Sequence, residues 1–183
     1  MMRPMLTAGW LLLTTACFAQ SPMPAPERPA SDVPVDSVAS PGSMAADFVR
    51  KVALSDQIEI ASSRIAMERG SPDQQAFAKQ MIESHEKIVA DLKRLVSVEK
   101  IPVELPVELD KADETRLDKL KSVEAAKFIA EYTTLQVTRH RNALALFERY
   151  AKDGDNMNLK AWARRMLPAL RHDLAAAEKL PRS

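Results

Sequence analysis

The chain has one cysteine, Cys17, and four glycines in 183 residues. A single thiol excludes an intrachain disulfide and every paired-cysteine metal motif. So few glycines leave no phosphate-cradling loop, and no serine or cysteine nucleophile constellation takes its place, so nucleophilic enzymes are disfavoured. No charge of one sign dominates: 26 Lys and Arg nearly balance 25 Asp and Glu, which withholds the basic field that nucleic acid or an anionic membrane surface requires. Nucleic acid is therefore not expected as a partner. Nor does any apolar run reach the roughly 20 residues of a spanning helix. Aromatics stand at 5%, while Ala, Leu, Glu, Lys, Arg and Met abound, all residues that lose little rotamer freedom in a helix. The composition predicts one all-α domain without a sheet, plus appendages.

The N-terminus carries an address. Arg3 supplies a positive start, Leu6 to Ala16 an uncharged apolar stretch containing Leu11-Leu12-Leu13, and small residues follow, the layout of a secretory signal. Two cleavage points fit. Cleavage after Ala19 makes residues 1–19 the signal and leaves a soluble chain without cysteine. Cleavage after Ala16, within Thr14-Thr15-Ala16-Cys17, makes residues 1–16 the signal and leaves Cys17 to be lipidated, a lipoprotein motif that lacks its usual leucine. Either way export to the periplasm or the outer membrane is expected, with membrane contact only through an N-terminal lipid. Residues 20–43 hold Pro22, Pro24, Pro26, Pro29, Pro34 and Pro41 among small polar residues, with no periodic apolar face, and read as an extended linker.

From residue 44 onward the periodicity is helical. Phe48, Val52, Leu54, Ile58, Ala61, Ile65 and Ala66 form an apolar arc over about Asp47–Arg69. Gly70 ends it, and Ser71-Pro72-Asp73-Gln74 opens the next helix with a serine cap, a proline where no N–H is needed, and a glutamine to close the box. That second helix, to about Lys100, carries Ala78, Met81, Ile88, Leu92 and Leu95 in a row completed by His85. A connection from Pro102 to Lys121, with a short helix over Lys111–Leu120, is long enough to run the length of a bundle at about 3.3 Å per extended residue, which permits parallel helices on either side of it. A third long helix over about Ser122–Lys152 aligns Ile129, Tyr132, Gln136, His140, Ala143, Phe147 and Ala151. The fourth, over about Asn156–Leu180, buries Leu159, Trp162, Met166, Leu170, Leu174 and Ala177, with a kink expected at Pro168.

Several of these segments resemble a known family: Phe48-Val49 with Glu59, the run FAKQMIESHEKIVADL from Phe77, Tyr132 to Glu148 with QVTRHRNALALFE inside it, and LPALRHDLAAA from Leu167. Together they resemble the domain of unknown function 4142 family of exported or outer-membrane bacterial proteins. The resemblance implies a ferritin-like four-helix bundle with a long connection between its second and third helices, and an exported location; it implies no settled activity. The family's last motif usually places an acidic residue before a histidine, whereas His172 precedes Asp173 here. At about 100° per residue, Asp173 falls on the edge of the buried arc and His172 nearly opposite.

Each long helix thus turns one ionisable residue inward near its middle: Glu59, His85, His140 and Asp173. Two imidazoles and two carboxylates form a reasonable set for one zinc, iron or copper ion, and bundles build metal sites from facing helices in this way. The same residues equally suit a hydrogen-bonded core network that fixes helix register. The Glu-x-x-His motif of a ferritin-type dinuclear iron centre is absent, since the residues three before His85, His140 and His172 are Ile82, Val137 and Ala169, and such a centre is disfavoured. Trp162, Tyr132 and the dispersed methionines read as packing, with Trp162 on a face that also suits a second copy. The sequence therefore predicts an exported helical bundle acting as an envelope-associated binding or stress-related protein rather than an enzyme, with a single-site metal protein as the competing reading.

Overall fold

A computed structural model describes residues 42–183; the export signal, Cys17 and nearly all of the linker lie outside the described residues. Five helices and no strand occur among them: α1 (Met44–Arg69), α2 (Pro72–Val98), α3 (Lys111–Ser122), α4 (Ala125–Asp153) and α5 (Met157–Glu178). The all-α expectation holds, while the connection after α2 contributes a fifth element. Four of the starts are capped by side chains. Ser43 accepts from the Ala46 amide, which begins α1 a turn before the Asp47 start that periodicity alone gives. The capping box at Ser71 and Gln74 is complete, with Pro72 in the first turn. Asp110 and Asn156 cap α3 and α5. Each satisfies an amide that the first turn leaves without an intrahelical partner.

Gly154 follows α4 for reasons of space rather than backbone angle. Its φ is −56°, open to any residue, but a Cβ there would stand 2.6 Å from the Tyr150 carbonyl oxygen and 2.7 Å from the Tyr150 ring. Midway along its length α5 runs on through Pro168, which is exposed.

α1 pairs with α2 and α4 with α5, and α1 against α4 joins the two hairpins. Cross-helix contacts fix the directions. Gln74 reaches Thr133 while His85 lies against His140, so α2 and α4 run parallel, as the long connection permits. Between them residues 101–110 run extended past α1, where the Gln57 side chain donates to the Pro106 carbonyl.

The interior is split into two apolar clusters at opposite ends. One gathers Phe48, Val52, Leu92, Phe147, Leu159, Trp162 and Leu170; the other Ile58, Met81, Leu117, Leu120, Phe128, Tyr132 and Ala177. Phe48 stacks on Tyr150 at 4.1 Å and meets Phe147 edge-on at 5.0 Å, favourable arrangements for aromatic quadrupoles. Trp162 is 3% exposed inside the first cluster, so it fills the core and offers no face to a second copy.

Candidate functional site

Between the two apolar clusters lies a polar layer. On each long helix the chain passes from one cluster to the other at an ionisable residue: Asp56 and Glu59 on α1, His85 on α2, His140 on α4 and Asp173 on α5. All five are buried, at 3, 2, 5, 2 and 8% exposure respectively. The four residues read from the sequence therefore share one level of the bundle, and His172 is exposed on the opposite side of α5. Asp56 was not expected. It stands three residues before Glu59, and that spacing puts both carboxylates on one helix face.

The hydrogen bonds fix the state of both rings. His85 Nδ1 lies 2.7 Å from Asp56 Oδ1, an acceptor when ionised. His140 Nδ1 lies 2.9 Å from the Gln136 carbonyl, which can only accept. His140 Nδ1 therefore carries hydrogen, as does His85 Nδ1 while Asp56 is ionised, and in each neutral ring so protonated Nε2 retains its lone pair. The ring centroids are 6.0 Å apart and nearly perpendicular. Around them Gln136 donates to Ser62 Oγ, Ser62 donates to the Glu59 carbonyl, and the Tyr132 hydroxyl pairs with Ser63.

Several polar atoms in this layer have no hydrogen-bond partner: Asp56 Oδ2, both carboxylate oxygens of Glu59, Gln136 Oε1 and His140 Nε2. Such burial costs on the order of 1–3 kcal/mol per neutral group and more for a charge. Asp56, Glu59, His85 and His140 line a small cavity of about 10 Å³ closed by Val52, Ile88, Ala143, Phe147 and Leu170, roughly the room of one water or one ion. Asp173 is not part of that wall; its charge is among those that raise His85.

Electrostatics follow from burial. Burial raises the Asp56 carboxyl above its usual 3.8, with His85 pulling the other way. For His85 burial lowers the pKa, but the Asp56 hydrogen bond and charge, with Glu59 and Asp173, bring it above 6.5. Asp173 is raised by burial against the pull of His140, His85 and His172. Tyr132 is raised by burial and by the Glu59 charge, so it stays a neutral hydroxyl. Asp56, His85 and Asp173 thus all favour the protonated form. As placed, no three His, Cys, Asp or Glu side chains among the described residues already converge on a common point as metal ligands; an ion would have to draw the donors inward.

Sequence periodicity located Glu59, His85, His140 and Asp173. It missed Asp56, although the interval to Glu59 on the same arc was the signal, and it gave no hint that Ser62 and Gln136 tie the layer together. A family model described as Domain of unknown function (DUF4142) matches residues 33–180. No curated protein and no solved structure matches the chain.

Proposed function

The chain belongs to the Domain of unknown function (DUF4142) family, and on that premise we propose that it is an exported, envelope-associated ferritin-like bundle that binds one metal ion in its interior, working as a binding or stress-related protein rather than an enzyme. The ferritin-like part of this reading is supported by two helical hairpins joined by a long connection, with α2 and α4 parallel. The exported part is supported by the signal-like residues 1–19.

One observation carries the metal reading: His140 Nε2 and both Glu59 oxygens are buried without partners beside a cavity of one ion's size. His85, His140 and Glu59 line that cavity and are the side chains that would hold the ion, with Asp173 outside the wall supplying charge, and nitrogen with carboxylate oxygen suits zinc, iron or copper(II). Such an ion supplies the positive charge that three buried carboxyls lack. A second reading, a structural network that sets helix register, is favoured by the bonds already made, Asp56 to His85 and Gln136 to Ser62.

The test is to isolate the full chain from periplasmic and membrane fractions without chelator and measure its metal content. One equivalent of metal is expected in wild type, and loss of it in His85→Leu and His140→Leu. The mass of the mature N-terminus in the same sample distinguishes lipidated Cys17 from free Gln20. Wild-type protein without metal, or full metal in both variants, overturns the metal reading; changed stability with no metal in any form is what the structural network predicts.

A further inference from the structure

We infer that Asp56 is the positioning residue of the buried site: it fixes His85 in the tautomer that presents Nε2, and so determines how tightly the layer holds a divalent cation of the zinc and iron(II) class. The inference rests on the metal reading above and adds a residue and an ion class to it.

The hydrogen bond gives Asp56 Oδ1 a role apart from the ligands. An imidazole has its two nitrogens on different edges, so the oxygen held 2.7 Å from Nδ1 reaches an ion on Nε2 only through the ring, while the other oxygen, Oδ2, stays unpartnered in a residue of the same cavity wall. Through Oδ1, Asp56 therefore acts on His85. A carboxylate accepting from Nδ1–H does three things: it selects the tautomer, fixes the ring rotation, and makes Nε2 a better donor. His140 receives the same treatment from the Gln136 carbonyl. Two rings on different helices are each tied at Nδ1 and each line the same cavity, so an ion there needs only to draw the donors inward. A network serving only register would have no need to leave His140 Nε2 without a partner.

The same residues set the ion class. The cavity wall offers imidazole nitrogen and carboxylate oxygen and no sulfur, since its lining includes neither methionine nor cysteine. Copper(I), which prefers thiolate and thioether, is disfavoured. Magnesium and calcium demand six or more oxygens, or several retained waters, and a cavity of about 10 Å³ has no room for them.

The experiment is titration of the chelator-treated full chain with Zn²⁺, with Mg²⁺ as control, by calorimetry, together with ¹⁵N NMR of the histidine rings. Wild type is expected to take one Zn²⁺ and no Mg²⁺, with the metal-free His85 ring protonated on Nδ1 where it is neutral. Asp56→Asn, nearly isosteric, should keep helicity and one-to-one stoichiometry but weaken Zn²⁺ binding by ~10–100-fold. It should also mix the His85 tautomers while leaving His140 on Nδ1. Wild type binding Zn²⁺ with Asp56→Asn equal to it, or a wild-type His85 protonated on Nε2, overturns this inference alone. Wild type binding no Zn²⁺ overturns it together with the metal reading. The tautomer is read on the wild type itself, so a variant that fails to fold does not protect the idea.

Discussion

At the scale of single residues, the buried layer holds protons that any metal ion would have to displace. His85 is raised above 6.5 and Asp56 and Asp173 above 3.8, so the folded state holds protons that the unfolded chain would release. A raised pKa contributes stability that is fully present below the unfolded value and is lost as pH climbs through the folded one. All three groups act with this sign, the carboxyls at lower pH and His85 highest. Metal-free protein is therefore expected to melt at its highest temperature in mildly acidic buffer, with Tm falling as pH rises beyond 6.5. Calorimetry in the presence of EDTA checks it, and His85→Gln should flatten the upper part of the fall. A Tm that rises across that interval would show that His85 is not held protonated by Asp56. How far the sequence disclosed these residues depends on what each one needs. Glu59, His85 and His140 interrupt apolar rows at helical spacing, and that is enough to turn them inward. Asp56 shares their arc but was obscured by Glu59, because one polar residue per helix already accounted for the pattern. The tautomers and the partnerless atoms depend on rotamers and on neighbours from other helices, which no local pattern encodes.

At the scale of elements, the legible parts are those fixed by short-range chemistry, and α3 shows where this ends. Ser71, Pro72 and Gln74 define the α2 start within four residues. α3 is mostly charged, and only Leu117 and Leu120 enter the core. Its position is set from a distance. Arg69, the last residue of α1, donates to the carbonyls of Leu120, Lys121 and Val123 at the end of α3, with its guanidinium 4.8 Å from the Phe128 ring centre. It thus satisfies carbonyls that a helix end leaves free and places positive charge where the helix dipole is negative. The buried Asp113 of α3 pairs with Arg139 of α4 as well. Sequence separations of this size are outside any periodicity argument, which is why a four-helix reading left α3 as a detail of the connection. Arg69→Ala is expected to cost about 1–3 kcal/mol, given charge-assisted bonds that are in part exposed. Hydrogen exchange should quicken in residues 111–122 before it does in the α1–α2 seam, while Zn²⁺ affinity stays as in wild type. Arg69→Lys should not restore protection, because an ammonium cannot reproduce the planar fork. Uniform acceleration across all helices would refute the local clamp.

For the whole molecule, the notable fact is where polarity has been put. Two apolar clusters would pack more stably if they met, yet a layer containing Asp56, Glu59, His85, His140 and Asp173 separates them. Either the layer specifies register or it is maintained for a ligand, and the two explanations part company at Glu59. Its carboxylate oxygens make no bond within the protein, so its side chain adds nothing to a register-fixing network that a hydrophobic residue would not. Replacing a poorly compensated buried charge by an apolar side chain of similar volume is often stabilising. Glu59→Leu should therefore raise the stability of the metal-free protein by about 1–3 kcal/mol, a Tm gain of roughly 3–10 °C for a domain of this size. In wild type, free Zn²⁺ at a hundred times its dissociation constant should add about 2.7 kcal/mol by mass action. In Glu59→Leu that increment should vanish, so the order of the two melting temperatures narrows or reverses when zinc is added. Thermal scans of both proteins with EDTA and with Zn²⁺ measure all four values. If the leucine variant is the less stable one without metal, Glu59 has a structural partner that this account lacks. If its zinc increment persists, Glu59 is not a ligand and the ion belongs elsewhere.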